Sequence, residues 1–110
     1  MSDRPLAQET LAEYAGWFRA LSDPTRILIV DFLTRQPRPV PAGAVVDHLR
    51  MSQPTVSHHL RTLHHVRIVT RHRAGANILY AVDARCSTEL PRAAAELLGA
   101  APGQQASSAQ

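Results

Sequence analysis

The sequence predicts a mainly α-helical domain carrying one small β-hairpin, in the order ααααββα, and three observations lead to it. SQPTVSHHLRTLHH, residues 52–65, has a helix start and a helical period. Ser52 can cap its first turn, Pro54 is tolerated there, and Val56, Leu60 and Leu63 recur at spacings of four and three on one face. A second segment, Ser22 to Gln36, opens on Ser-Asp-Pro and fills with Ile27, Leu28, Ile29, Val30, Phe32 and Leu33. The third observation is IVTRHRAGANILYAVD, residues 68–83, which reads as two β-rich runs parted by a turn centred on Gly75.

Taken in order, residues 1–4 are expected to fray, and a first helix is expected from about Pro5 to Leu21. Its Leu6, Leu11, Tyr14, Trp17, Phe18 and Leu21 supply more apolar surface than one small core needs. The surplus either wraps the domain's own core or meets a second subunit. In the second helix Ser22 or Asp23 is the cap, Asp23 suits the positive end of the dipole, and the six apolar residues predict a wide core-filling face with Asp31 at its edge. QPRPVP, residues 36–41, is expected to lack regular structure because of its three prolines. Residues 42–50 form a short helix, with Val45, Val46, Leu49 and Met51 available to the core. In the hairpin, alternation puts Val69, Arg71 and Arg73 on one side and Thr70 and His72 on the other, while Ile78, Tyr80 and Val82 share a side that packs on the helices. The last helix is expected to begin near Thr88, which leaves Pro91 in its first turn, and to use Leu90, Ala94, Leu97 and Leu98 as its apolar face. GAAPGQQASSAQ offers nothing to anchor a core, so the reading is one domain over 5–98 with disordered ends at 1–4 and 99–110.

A chain of 110 residues is one domain, and much of its surface stays exposed unless it assembles. The formal charge of +3 is modest, but its distribution is informative. All 12 basic residues are Arg, and Arg suits phosphate and base-edge recognition through its planar fork. The single cysteine, Cys86, excludes an intrachain disulfide scaffold. MSDRPLAQETLAEY has no apolar secretion core and no later stretch reaches membrane-spanning length, so a reducing cytoplasm and no membrane partner are expected.

The face of residues 52–65 opposite the apolar stripe carries His58, Thr62 and His65, flanked by Thr55 and Arg61. No Asp or Glu occurs between Asp47 and Asp83, an interval that holds Arg50, Arg61, Arg67, Arg71 and Arg73. Phosphate would be drawn to such a segment. A solvated helix that merely lacks acids is the alternative. Helix, tight turn, helix and basic hairpin make a winged helix-turn-helix, whose second helix enters the DNA major groove. Gln53, Thr55 and His58 are the expected base-edge readers, with Arg61 on a base or a phosphate. Ser52, Ser57 and Thr62, with Arg71, Arg73 and Asn77 on the wing, are expected to position the DNA. Arg38 is a phosphate contact or an ordinary loop arginine, and Arg26 pairs with Asp23 in preference to DNA. A basic hairpin edge can also simply deter edge-to-edge pairing. A protein-interaction module that does not bind operator DNA alone is the competing function. No enzyme is expected: there is no His-Glu-x-x-His arrangement, no glycine-rich phosphate loop and no nucleophile elbow.

LSDPTRILIVDFL, MSQPTVSHHLRTL and RHRAGANILYAV, in this order and spacing, resemble the ArsR/SmtB family of bacterial transcriptional regulators over about Trp17 to Val82. The resemblance implies a homodimer built by the first and last helices, here through Leu6, Leu11, Tyr14, Leu90, Ala94 and Leu97. It also implies two recognition helices in successive major grooves about 34–36 Å apart. Two departures are Arg50 and Arg67, where the family commonly has Gly. They bear on the placement of the wing and leave room for a second regulatory protein. Many members sense metals, yet Pro41 and Gly43 stand at the usual thiolate pair, and Arg85 stands where a histidine would join Asp83. No cofactor is needed for folding. The six histidines leave a weak nickel or zinc effector chemically open through imidazole and carboxylate ligands. Asp83, Cys86 and Glu89 are a weak ligand signal, and Cys86 is expected to be inert.

Overall fold

The structure, a computed structural model, describes residues 7–99. Expectations for residues 1–6 and 100–110, including Leu6 at an interface and both disordered ends, lie outside the described residues. The first helix, α1 (Gln8–Ala20), buries Trp17 completely, and the Tyr14 ring stacks on Trp17 with 5.7 Å between centroids. α2 (Pro24–Thr34) starts where Asp23 accepts from the backbone N–H groups of Thr25 and Arg26 at 2.8 and 3.4 Å. Partial desolvation raises the Asp23 pKa, but those two donors, the Arg26 guanidinium and His59 together hold it below the usual value. The ion pair expected between Arg26 and Asp23 is present at 3.7 Å.

The wide core face expected of α2 is corrected. Ile29 and Leu33 are buried and Val30 and Phe32 partly so, whereas Ile27 and Leu28 are half exposed. Successive helical residues turn by about 100°, so four apolar residues in a row cannot share one face. The proline-rich link is corrected as well: Val40–Pro41 forms a short strand, β1, against the hairpin. Its position on a sheet edge is what tolerates a proline without a backbone N–H.

α3 (Ala42–Leu49) and α4 (Gln53–His65) make the helix-turn-helix, and Val45, Val56, Leu60 and Leu63 are fully buried between them and the rest of the core. Arg50 ends α3 at φ 56° and Arg67 follows α4 at φ 64°, so both arginines occupy the left-handed region that glycine favours. At Arg67 the reason is visible. Its N–H donates to the His64 carbonyl at 3.0 Å and that of Ile68 to the Leu63 carbonyl at 3.0 Å, a Schellman closure that requires a left-handed residue between helix and strand. Such a conformation costs a side-chain-bearing residue about 1–2 kcal/mol, partly offset because glycine loses more entropy on folding. Arg50→Gly and Arg67→Gly should therefore each raise the unfolding free energy by about 0.5–1 kcal/mol, seen as a higher urea midpoint at unchanged slope.

β2 (Val69–Ala74) and β3 (Asn77–Val82) form the wing around Gly75 at φ 64°, and the sheet order is β1-β3-β2, antiparallel throughout. The last helix, α5 (Ala84–Leu98), begins four residues before Thr88, with Pro91 inside it. The expected start is thus corrected. Asp83 caps the helix through the Arg85 N–H at 2.8 Å, and burial of Cys86 favours the early turn. The Pro91 ring removes the donor that would meet the Ser87 carbonyl, but both residues are exposed, where water can take its place. Arg85 grips Glu13 of α1 through both guanidinium ends at 2.8 and 2.9 Å and reaches Glu89 at 3.1 Å. The Glu13 carboxyl is held below its ordinary pKa chiefly by that hydrogen-bonded arginine.

Candidate nucleic-acid interface

α4 presents its polar face because three buried residues anchor the other. Ser52 accepts from the Thr55 N–H at 3.3 Å and its hydroxyl donates to the Thr55 hydroxyl at 2.8 Å, while Gln53 Nε2 donates to Ser57 Oγ at 3.3 Å. The first turn of α4 is therefore a pre-ordered set of hydroxyl and amide groups. Gln53, Thr55, His58 and Arg61 are exposed; Ser57 and Thr62 are half-buried, and the Thr62 hydroxyl donates back to the His58 carbonyl at 3.2 Å. No carboxylate occurs on α4. Among the described residues the ion pairs involve Arg26, Arg35 and Arg85, and none involves Arg61, Arg71 or Arg73.

On the wing, Arg71 pairs with Tyr80 and Arg73 with Ile78, which puts both arginines on the face shared with Val69 and Val82. The apolar side expected for Ile78, Tyr80 and Val82 is therefore also the arginine side, apolar at its base and cationic toward its tip. Asn77, opposite Ala74, lies on the other face beside the turn. The structure unites Arg71 with Arg73 and separates Asn77 from them. Arg38 is exposed in the link before β1. His59, which the sequence reading passed over, is half-buried on α4, and its Nδ1 has no hydrogen-bond partner among the described residues. Only the fold could reveal that, since the residue sits at the margin of the apolar stripe.

Residues 23–71 match the pattern of the bacterial regulatory protein family arsR. The chain is 38% identical over 66 residues, covering 60% of its length and 71% of the relative's, to the transcriptional repressor SdpR of Bacillus subtilis. This chain belongs to the ArsR family. It is also 35% identical over 78 residues to the HTH-type transcriptional regulator NmtR of Mycobacterium tuberculosis, covering 71% of this chain and 63% of that one. Among solved structures, an ArsR-like transcriptional regulator from Rhodococcus superposes with a TM-score of 0.71 at 28% identity, over 83% of both chains. ArsR-family proteins are DNA-binding transcriptional regulators and not enzymes, as the sequence led one to expect.

Membership raises the question of metal, and the residues present do not fit the sites that the family resemblance implies. Pro41 and Gly43 offer no donor. Asp83 is engaged in capping α5, and Arg85 is a fixed cation paired with Glu13 and Glu89. Among the described residues no three or more His, Cys, Asp or Glu side chains are grouped to hold an ion. Burial, reinforced by Asp83 and Glu13, pushes the Cys86 thiol up to about 11. Between the unfolded thiol's pKa and that value the unfolded chain binds fewer protons than the folded one, so this group's contribution to stability is lost as pH rises through the window. Cys86 should resist iodoacetamide at pH 8 and react fully once the protein is unfolded in urea, as mass spectrometry would show.

The residues expected at a dimer seam divide. Leu11 and Leu97 are about half exposed, at 48% and 49%, and Ala94 is half-buried. Tyr14 and Leu90 pack against the domain's own core. Leu98, on the same helix as Leu97, is 83% exposed. No helix among the described residues is long and apolar enough to cross a membrane.

Proposed function

We propose that this ArsR-family chain acts as a cytoplasmic homodimer that reads a specific double-stranded DNA operator and regulates transcription there. The supporting observation is the exposed, carboxylate-free polar face of α4, continuous in sequence with a wing whose arginines enter no ion pair among the described residues. Gln53, Thr55 and His58 read base edges, Gln53 being suited to the paired donor and acceptor of adenine. Arg61 reads a base or holds a phosphate; Ser52, Ser57, Thr62, Arg71, Arg73 and Asn77 position the duplex. The dimer joins α1 to α5 through Leu11, Leu97 and Ala94, with the parts of Tyr14 and Leu90 that their own core leaves uncovered, and its two α4 helices enter grooves about 34–36 Å apart.

Nickel or zinc, if it tunes this regulator, binds weakly through imidazole and carboxylate groups contributed at a subunit boundary, because no thiolate set exists. Selection of bound duplexes from a random pool by the purified protein tests the function. A two-fold-symmetric consensus bound by a dimer is the expected result. Failure of the isolated protein to bind any duplex, with binding restored by a second polypeptide, would favour the protein-interaction reading instead.

A further inference from the structure

An open cleft of about 410 Å³ lies between the C-terminal half of α1 and the outward face of α4. We infer that this cleft seats a phosphate group, supplied by the DNA backbone beside the groove that α4 enters. The inference rests on the DNA reading above and adds α1 to the DNA-contacting elements. Arg19, Arg26, His58, Arg61, Thr62 and His65 line the cleft, so three guanidiniums and two imidazoles converge there without one carboxylate in the lining. Guanidiniums gathered around one cavity repel unless an anion offsets them, and of these three only Arg26 has a carboxylate partner, Asp23, among the described residues.

The cations differ in how free they are. Arg26 has a side chain only 16% exposed and is fixed by its bonds to the Ala20 carbonyl and to Asp23, so it is a stationary member of the lining whose charge Asp23 partly offsets. Arg19 and Arg61 are exposed and enter no ion pair among the described residues, which leaves both forks available to phosphate oxygens. The remaining wall is Gly16, Ala20 and Val66, and the small groups of Gly16 and Ala20 leave room for a phosphodiester on the α1 side. His58 and Arg61 line the cleft and also belong to the reading face of α4, so a strand leaving that face runs into the cleft. A simpler account makes Arg19 a complement to the negative end of the α1 dipole. That account leaves the convergence of Arg61 and two imidazoles from another helix unexplained.

The test compares wild type, Arg19→Ala and Arg19→Lys as full chains on the selected operator and on a random duplex across a salt series. Arg19 is exposed, so equal melting temperatures are expected and checked first. Arg19→Ala should bind both duplexes roughly 3- to 10-fold more weakly and lower the log affinity–log salt slope by about one, while Arg19→Lys retains most of the slope. Unchanged affinity and slope in Arg19→Ala, alongside weakened binding by an Arg71→Ala, Arg73→Ala variant, would overturn the inference and leave the DNA reading standing. Wild type that binds neither duplex would defeat the DNA reading itself and this inference with it. In a separate arm, inorganic phosphate is titrated into the free protein while the His58 and His65 imidazole signals are followed by NMR. Shifts that disappear in Arg19→Ala support the seat. The same shifts with no change in DNA binding would assign it to a free phosphate-bearing ligand and overturn the backbone source.

Discussion

Trp17→Ala should lower the unfolding free energy by about 3–5 kcal/mol, a large share of the roughly 5–15 kcal/mol that a domain of this kind has in total. Trp17 is fully buried and is the largest side chain in the core. It also does something no aliphatic residue could do. Its Nε1–H donates to the Val66 carbonyl at 2.8 Å, satisfying one of the acceptors that the end of α4 leaves open. The Arg85 guanidinium, 6.0 Å from the ring centroid, covers the same side chain from α5. One residue of α1 thus joins the end of α4 to α5. Trp17→Phe separates the two contributions, because it keeps most of the apolar volume and removes the donor. That variant should cost about 1–3 kcal/mol through the smaller ring and the loss of the hydrogen bond to the half-buried Val66 carbonyl. Urea unfolding followed by far-ultraviolet circular dichroism measures both. Equal stability of Trp17→Ala and wild type would mean that α1 does not pack on α4 as described.

Periodicity and caps made the helical part of this fold legible. Val56, Leu60 and Leu63 are all fully buried, Ser52 caps the helix it was expected to start, and of the two candidates Ser22 and Asp23 it is Asp23 that caps α2. What stayed hidden depended on tertiary neighbours. Val40–Pro41 became a strand because Leu79 and Tyr80 offered it an edge, and three prolines in sequence gave no hint of that partner. Pro91 argued for a late start to α5, yet the Asp83 cap and the Glu13–Arg85 grip across helices outweigh it. Local signals cannot register a bond between residues 72 positions apart. The residues proposed to face DNA were singled out for a different reason: an absence of carboxylates is a compositional fact that needs no fold. Arg19 was not, because nothing in α1 marks it until α4 is brought alongside.

Arg71→Ala combined with Arg73→Ala should weaken binding to operator and random duplexes alike, by about 10- to 100-fold near 0.1 M salt. Each arginine that neutralises a phosphate releases condensed counterion, so the log affinity–log salt slope should fall by about two in the double variant. Both residues are exposed, share one face of the wing and enter none of the ion pairs of the described residues, so removing them leaves no buried partner stranded. Stability should consequently change by less than about 0.5 kcal/mol. Arg35→Ala is the matched control, since that arginine is exposed but already paired with Asp31 at 3.1 Å and belongs to neither α4 nor the wing. A double variant with full affinity and an unchanged slope would remove the wing from the interface. Loss of the operator-to-random ratio, with little loss on random duplex, would instead make these arginines readers of base edges. The expected uniform loss distinguishes a wing that grips the backbone from a helix, α4, that chooses the sequence.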